Sequence, residues 1–425
     1  TYSPNGNGGN SWYTIANYGT MEINTGVTVE NAGGYSSMIR NGGDVTADCN
    51  LTIEGGNFAG GINTVKNDSF GVLTINGGNF SNTAQYVIMN WNKAEITAGT
   101  FRTLDTASAV LFTSAYGGDA NTIGKLSISG GEFKHASDTQ EMIVDHYDET
   151  NKGNAVVTGG KFDADISKYI PTDYVQSADG TVEKLGETNA VAKVGGTYYK
   201  TLADAVAAAQ DGDTITLLKD AELTSTLNLA KNITIDGQGK YTIKAANSFT
   251  VGSDNKTYCV LYVSGEVTLK DVTVNGNEKC RVIFCDKGKL TIDGATITNG
   301  KAPNFIGGVY MTSSASFEMK SGSITGNKNA KEYQNDEYLQ YSSDLWIGAN
   351  ANGALTAING GTIGNVFVNA NAWSASNPGS FTMNGGTVTN LYVEHDANYG
   401  ATFKYNDGTI EHLYLSKENG NGQSI

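Results

Sequence analysis

The sequence predicts an all-β protein, a right-handed parallel β-helix, and three observations lead to this fold class. One short phrase with alternating apolar residues recurs along the chain. There are 54 glycines but only 4 prolines, and helical periodicity is confined to one segment. Alternating apolar and polar residues are typical of a strand with one buried face, and glycine supplies the turns. Repetition of such a unit indicates a solenoid, in which each repeat packs on its neighbours.

The recurring phrase is clearest in LTINGGNF, which begins at Leu73. Leu73 and Ile75 alternate with polar residues and are expected in the core. Gly77 and Gly78 are expected at positive φ in a turn, after which Phe80 re-enters the core. Related phrases are LTIEGGNF, AEITAGTF, LSISGGEF and VVTGGKF in the first half, and LTIDGATI, FEMKSGSI, LTAINGGTI, FTMNGGTV and FKYNDGTI in the second.

Equivalent positions of the phrase return at intervals that suit stacked coils. Ile53, Ile75 and Ile96 are separated by 22 and 21 residues, and intervals of up to 39 residues indicate inserted loops. Residues one interval apart should therefore be vertical neighbours, with outward Thr and Asn forming ladders. A leucine-rich or ankyrin array would show a helix in every repeat, and a propeller would need four hairpin-joined strands per blade.

The repeat pattern breaks at residues 161–190, where polar and charged residues replace the phrase. A helical segment, residues 201–210, follows the break. An amphipathic helix at this place would cover the open end of a solenoid. We therefore predict two β-helix arrays: residues 1–185, which end in a C-terminal capping segment, and residues 190–425, which begin with a capping helix.

The capping helix carries both a start signal and an apolar stripe. Thr201 at the N-cap and Asp204 three residues later have the spacing of a capping box. The stripe consists of residues at helical spacing: Leu202, Ala205, Val206 and Ala209.

Composition excludes several classes of function. A formal charge of −15 and a pI near 4.7 argue against nucleic acid as a partner, because phosphates would be repelled. No apolar run is long enough for a transmembrane helix, so membrane insertion is not expected. The cysteines form no CxxC pair, and neither a metal nor another cofactor is expected. Cys285 should be a buried thiol, whereas Cys259 and Cys280 on adjacent coils are either free or bonded to each other.

Two segments carry a resemblance to known families. VAKVGGTYYKTLADAVAAAQDGDTITLLKD, followed by ITIDGQGKYTI, resembles the entry of the pectate lyase-like superfamily and, more closely, the repetitive β-helical surface proteins of gut-dwelling Firmicutes. ISGGEF and VTGGKFDADISKYIPTDYVQSADGTVEKL are similar to the closing segment of their repeat blocks. The resemblance covers most of the chain. It implies an adhesin-like protein, on the cell surface through a wall-attached parent or secreted.

A surface protein of this kind would present a long rigid face to a ligand. The ligand would be a host glycan, a dietary polysaccharide or a host protein, an immunoglobulin being one conceivable protein ligand. We expect the protein to act as a monomer.

An enzyme is the alternative, because the superfamily includes polysaccharide lyases and glycoside hydrolases. Lyase chemistry would need clustered Asp for calcium, a base, and arginines for the acidic sugar. The arginines here are Arg40, Arg102 and Arg281, none in an RxPxxR setting. IVDH, residues 143–146, is similar to the WIDH motif of the lyases but lacks the Trp; a solvated loop pair is the other interpretation.

Hydrolysis would need two carboxylates at a defined separation, and no Asp-Asp pair or Gly-His-Gly is found. Glu394, His395 and Asp396 form the densest titratable cluster, which is either functional or a polar loop. His135 and His412 lie in similar polar turns. We therefore expect a non-catalytic binding protein, with a carbohydrate-active enzyme as the alternative.

An aromatic residue flanked by two apolar ones recurs once per coil in the second array. If the flanks are buried, strand alternation turns the central residue outward. This predicts a lateral aromatic ladder of Tyr262, Phe284, Tyr310, Trp346, Phe367, Tyr392 and Tyr414. The corresponding triplets of the first array, centred on Ile88 and Leu111, should be aliphatic.

An exposed aromatic ladder would be a contact surface for sugar rings or for a protein partner. If the ladder were instead covered by inserted loops such as residues 328–343, it would serve the structure alone.

Overall fold

The structure, a computed structural model, describes residues 13–31, 36–82, 84–104, 107–116, 119–302, 306–330, 339–348, 356–369, 379–394 and 401–415. These residues form a parallel β-solenoid of about 14 turns in all, and the chain divides into two compact units, Thr1–Leu185 (unit 1) and Gly186–Ile425 (unit 2). The parallel β-solenoid predicted from the repeats is confirmed.

Unit 1 stacks its strands in three columns, named stacks 1A, 1B and 1C in their order around each coil. Stack 1A contains Ile15–Asn17, Ile39–Asn41, Asn63–Asn67, Tyr86–Asn90, Ala109–Thr113 and Glu141–Val144. Stack 1B contains Thr20–Ile23, Cys49–Ile53, Gly71–Ile75 and Lys93–Ile96, and stack 1C contains Thr28–Asn31, Asn57–Gly60, Asn79–Asn82 and Thr100–Thr103. The long strands Lys125–Lys134 and Asn154–Phe162 continue both 1B and 1C.

The vertical neighbours of unit 1 are those that the spacing predicts. Ile53 pairs with Ile75 and Ile75 with Ile96 in parallel register, and all three are fully buried. In stack 1C one phenylalanine per coil stacks on the next, with ring centroids 4.5–4.9 Å apart and planes within 11°. This interior Phe stack consists of Phe58, Phe80, Phe101, Phe133 and Phe162.

The two glycines of the recurring phrase have different roles. Gly78 has a φ of +108°, a left-handed conformation that glycine adopts without strain. Gly77 is not at positive φ, so the sequence expectation is wrong there. A Cβ at Gly77 would lie 2.7 Å from the backbone oxygen of Glu54 in the coil below. Glycine at this position therefore allows the coils to approach each other at the corner.

Stack 1A carries a buried amide ladder that the sequence analysis did not predict. Each side-chain Nδ2 donates a hydrogen bond to the side-chain oxygen in the next coil, at 2.8–2.9 Å. The amide ladder consists of Asn17, Asn41, Asn67 and Asn90 and ends on the hydroxyl of Thr113. Each of these amides also donates to backbone carbonyls, so the buried polar atoms are hydrogen-bonded.

Unit 1 ends in a 3₁₀ helix, Ser167–Tyr169, and an antiparallel pair of strands, Tyr174–Gln176 and Val182–Lys184. The Tyr169 hydroxyl donates to the carbonyl of Ile143 at 2.7 Å. Tyr169 and Val182 are buried and join the unit 1 core.

Unit 2 repeats the three-column arrangement with longer strands. Stack 2A contains Leu227–Leu229, Cys259–Val263 and Leu345–Ile347. Stack 2B contains Thr214–Leu217, Ile233–Asp236, Glu266–Lys270, Thr356–Ile358, Ser380–Met383 and Thr402–Tyr405. Stack 2C contains Ala221–Leu223, Thr242–Ala245, Thr273–Asn275, Thr296–Thr298 and Ser323–Ile324. Arg281–Asp293 and Val309–Met319 run through 2A and 2B. Thr362–Val368, Thr387–Val393 and Thr409–Leu415 run through 2C and 2A. A 3₁₀ helix, Leu339–Ser342, precedes Leu345–Ile347.

Unit 2 begins with an antiparallel hairpin, Ala192–Val194 and Thr197–Tyr199, whose first strand pairs antiparallel with Thr214–Leu217. The α-helix Leu202–Ala208 follows the hairpin and is shorter than the predicted 201–210. It ends early because Ala209 is extended and the amide of Gln210 donates to Asp213 instead.

Both ends of this helix are satisfied by side chains. The Thr201 hydroxyl accepts from the amide of Asp204 at 3.0 Å, as the capping-box spacing predicts. At the other end Lys231 Nζ donates to the carbonyls of Val206, Ala207 and Ala209. The predicted apolar stripe is buried in the unit 2 core, which is compatible with a cap.

The four cysteines are buried free thiols, so the disulfide alternative for Cys259 and Cys280 is not realised. Burial raises the pKa of Cys259, Cys280 and Cys285 to about 12, which keeps these thiols protonated. No helix in the described part of the chain has the length and apolar character to cross a membrane.

Candidate functional site

The seven aromatic residues of the predicted ladder are successive partners in stack 2A. Parallel register pairs Tyr262 with Phe284, and the pairing continues from coil to coil to Tyr414. Ring centroids are 5.4–6.2 Å apart from Tyr262 to Trp346 and 4.3–4.8 Å apart from Trp346 to Tyr392. We call this set the lateral aromatic column.

The column is not a continuous exposed strip. Phe284, Phe367 and Tyr392 are buried, with 4%, 1% and 3% exposure, so at these three positions the exposed alternative is wrong and the covered one holds. Tyr262, Tyr310, Trp346 and Tyr414 are partly exposed.

The physical reason for the lost exposure is that other side chains cover the rings. Tyr341, from the 3₁₀ helix in the inserted loop, stacks on Tyr414 at 4.2 Å and on Tyr392 at 6.2 Å. Flanking coils also sandwich the central rings: Phe367 lies between Trp346 and Tyr392. The column therefore combines a structural stack with accessible rings at some of its coils.

Arg281 holds the middle of the column in place. Its side chain is fully buried, with the guanidinium carbon 4.7 Å from the ring centroid of Tyr310 and 5.7 Å from that of Phe284. Nε donates to the carbonyl of Ile306 and Nη1 to Oδ1 of Asn255, both at 3.1 Å. Among the described residues no carboxylate pairs with this guanidinium, and burial lowers its pKa. The two aromatic faces supply the cation–π attraction that offsets part of the desolvation cost.

Polar groups surround the ring at the first coil of the column. The Tyr262 hydroxyl donates to Asp286 Oδ1 at 3.0 Å. Lys256 Nζ lies 3.3 Å from Asp286 Oδ2 and 5.5 Å from the Tyr262 ring centroid. Burial and the Asp286 carboxylate raise the pKa of the Tyr262 phenol. An aromatic face, a carboxylate and an ammonium group are thus adjacent, and together they can pack on a ligand and exchange hydrogen bonds with it.

The other titratable candidates are dispersed. Asp145 and His146 form an exposed pair, with Oδ1 and Nδ1 3.1 Å apart. Glu394 accepts from the Asn369 amide at 2.6 Å, while His395 and Asp396 lie outside the described residues.

Two further histidines have local contacts. His135 Nδ1 lies 2.9 Å from Asp163 Oδ1. His412 lies beside Tyr414, with ring centroids 6.4 Å apart. In the part of the chain that the structure describes, no three His, Cys, Asp or Glu side chains are grouped as a metal site.

The predicted register of the first array is wrong by one residue. The outward positions of stack 1A are Met89 and Phe112, whereas Ile88 and Leu111 are fully buried. The error has a physical cause: the inward flank there is a polar residue, such as Asn90, whose burial depends on the amide ladder. A search for apolar flanks cannot find it.

Sequence reasoning also missed a cluster of aromatic residues beside stack 1A. Tyr116 and Tyr147 are 45% and 66% exposed and lie close to the buried ring of Trp91. The signal was available, because an aromatic residue follows each strand: Trp91 comes directly after Asn90, and Thr113 and Val144 are followed by SAY and DHY. The three aromatic residues come together only because these strands are vertical neighbours in stack 1A.

Comparisons with known proteins assign no family to the chain. No protein-family model matches it, and searches of curated proteins and of solved structures found no match either.

Proposed function

We propose that the protein is a non-catalytic binding protein and that unit 2 binds a glycan on the lateral aromatic column. One observation carries the proposal: partly exposed rings at Tyr262, Tyr310 and Trp346 recur along one face of the solenoid. Sugar rings have apolar C–H faces that pack on aromatic faces, while their hydroxyl groups need polar partners. Asp286 and Lys256 supply such partners beside Tyr262.

The packing of the column favours binding without rearrangement. The partly exposed rings rest on buried ones, and Arg281 links the column to loop residues Asn255 and Ile306. Side chains that are already ordered lose little conformational entropy when a ligand binds. The solenoid therefore offers a preorganised surface.

The cellular setting belongs to the same proposal. The resemblance to surface proteins of gut Firmicutes supports an extracellular location, on the cell surface or secreted, with a host glycan, a dietary polysaccharide or a host protein as ligand. Protease treatment of intact cells that produce the full-length protein tests the location: a surface protein is cleaved, whereas an internal one is protected.

The binding proposal is tested with the intact chain on an array that carries glycans and host proteins, including immunoglobulins. The test variant replaces Tyr262, Trp346 and Tyr414 by Ser. The matched control is Tyr405→Ser, because Tyr405 is 52% exposed but lies outside the column. Tyr392 is left unchanged because it is buried. Circular dichroism checks the fold of each variant.

We expect the wild type and the control to bind at least one glycan whose binding falls at least tenfold in the triple variant. If the triple variant binds every glycan as the wild type does, the column is rejected as the site. Binding to proteins alone would reject a glycan as the ligand. Release of unsaturated or reducing ends from a bound polysaccharide would identify the enzyme alternative.

A further inference from the structure

A second surface with aromatic rings lies on unit 1, at the corner that follows stack 1A. Trp91, Tyr116 and Tyr147 each follow the 1A strand of one of three successive coils. The Tyr116 ring stacks on Trp91 with centroids 4.1 Å apart and planes within 5°. The Tyr147 ring lies 5.9 Å from Trp91 at an angle of 54°. One buried indole therefore supports two exposed phenol rings.

Hydrogen bonds hold both tyrosines in their places. The amide of Tyr116 donates to the hydroxyl of Thr122 at 3.0 Å, and Thr122 is buried. The amide of Tyr147 donates to the hydroxyl of Ser114, also at 3.0 Å. Ser114 in turn donates to the carbonyl of Asn151 at 2.5 Å, which joins the two loops. The rings are thus presented by anchored backbone.

Carboxylates lie on both sides of the aromatic rings. Asn67 and Asn90 are register partners, so Asp68, the residue after Asn67, lies one coil below Trp91. Asp68 is held by Lys66 at 2.8 Å and by Arg40 at 3.1 Å.

Asp145 follows Val144 on the other side, where it pairs with His146. Burial raises the pKa of Tyr116, and the charges of Asp68 and Tyr147 add to the rise, which agrees with their proximity.

The indole N–H of Trp91 has no acceptor among the described residues, although its ring is only 2% exposed. A buried donor without a partner costs about 1–3 kcal/mol. The N–H has no surface open to solvent, so a ligand that supplies the missing acceptor oxygen must first move a covering side chain such as Tyr116. Tyr116, which covers the indole and is itself 45% exposed, is the side chain that such a ligand would meet first.

We propose that this corner of unit 1 is a saccharide-binding site for a neutral pyranose. Neutral sugar rings provide apolar faces for Tyr116 and Tyr147, an acceptor oxygen for the indole N–H, and hydroxyl donors for the carboxylates. Asp68 and Asp145 are three coils apart, so they would contact different rings of one oligosaccharide. Lys66 and Arg40 already neutralise Asp68, so a neutral sugar, which adds no charge, suits this carboxylate through its hydroxyl groups. A quaternary ammonium ion would suit the rings and the acids, but it has no acceptor for the indole N–H.

The same geometry favours binding over hydrolysis. Asp68 and Asp145 are three coils apart, which corresponds to about 14 Å between their backbones at ~4.8 Å per coil. Glycosidases hold their two carboxyl groups roughly 5–9.5 Å apart. The pair is thus too widely spaced to flank one glycosidic bond.

The test uses the full chain and titration calorimetry with four neutral tetrasaccharides: cellotetraose, xylotetraose, mannotetraose and maltotetraose. Tetramethylammonium chloride and trigalacturonic acid are the cationic and acidic probes. The variants are Tyr147→Ala, which removes an exposed ring, and Trp91→Phe, which keeps an aromatic ring in the stack but removes the N–H together with one ring of the indole. Tyr405→Ala is the matched control in unit 2.

We expect one neutral tetrasaccharide to bind, Tyr147→Ala to weaken it at least tenfold, and Trp91→Phe to weaken it about tenfold, the effect of one lost hydrogen bond. The control should bind like the wild type. The triple variant of the lateral aromatic column should also retain this binding, so the two proposals fail separately. Unchanged affinity in Tyr147→Ala, stronger binding of either charged probe, or no binding of any neutral probe would overturn the proposal.

Discussion

The two units build the same coil from opposite side-chain chemistry. Unit 1 places its aromatic stack inside, as the Phe stack of 1C, and buries a column of amides in 1A. Unit 2 places its aromatic stack on the outside of 2A and fills the inward position with residues such as Val263, Met311 and Ile347. The coil thus tolerates polar or apolar filling, provided that each column repeats one kind of side chain.

The difference shows what a solenoid requires of its sequence. A buried amide is acceptable in unit 1 because the coils above and below supply its partners. A buried aliphatic column, such as that of unit 2, needs no such partners. Substitutions in equivalent columns should therefore have very different costs.

The largest effect is expected in the interior Phe stack. Phe101→Ala removes a fully buried ring between Phe80 and Phe133 and should lower the free energy of unfolding of unit 1 by about 4 kcal/mol. Tyr262→Ala, on the partly exposed column of unit 2, should cost about 1 kcal/mol. Hydrogen exchange followed peptide by peptide separates the two units. Similar losses in both variants would contradict the contrast between inside and outside.

The amide ladder gives the next largest effect. Asn67→Leu removes one of the acceptors of the Asn41 amide and the donor to the Asn90 side-chain oxygen, and it should cost about 3 kcal/mol. The control is Asn384→Ala in the exposed ladder of unit 2, where Asn384 bonds Asn359 and Asn406. That change should stay within about 0.5 kcal/mol. Urea unfolding of the full chain measures both, and an equal cost would show that burial does not set the value of an amide ladder.

A smaller effect is expected at the helix that opens unit 2. Thr201→Ala removes the acceptor for the Asp204 amide and should cost about 1 kcal/mol. Thr201→Ser keeps the hydroxyl and is the matched control. Hydrogen exchange of the helix amides measures the change. If these amides exchange no faster in Thr201→Ala than in the wild type, packing alone stabilises the helix.

The smallest effect is expected for a buried acidic side chain in unit 2. Asp344 is 3% exposed, and burial raises its pKa above the ordinary 3.8, although amides of Asn327 and Asn365 donate to it. Compared with Asp344→Asn, wild-type unit 2 should be most stable below pH 3.8. This advantage should fall as the pH rises through the raised pKa of the folded state. Thermal unfolding of both proteins between pH 3.5 and 7 tests the sign, and a gap that widens with pH would contradict it.

The sequence was sufficient to predict the fold because the spacing of equivalent residues determines which of them become vertical neighbours. The spacing of Ile292, Met319 and Ile358 predicts their pairing despite an inserted loop, and the structure confirms it. Helix capping at Thr201 was equally local and equally predictable.

What could not be predicted depends on contacts between distant residues. The burial of Phe367 follows from its neighbours in the coils above and below, and that of Tyr392 from Tyr341 in an inserted loop. In the sequence the asparagines of the amide ladder look like ordinary exposed polar residues. Their burial becomes evident only when Asn67 is seen hydrogen-bonded between Asn41 and Asn90. The cluster at Trp91 likewise requires knowledge of which coils are adjacent.

The ammonium group of Lys231 joins the first coil of unit 2 to the end of the helix that precedes it. The carbonyls it holds belong to Val206, Ala207 and Ala209, which a ribosome makes more than twenty residues earlier. These contacts can therefore form only after the first coil of unit 2 has been synthesised. A chain that ends before Lys231 would lack all three hydrogen bonds at the end of the helix.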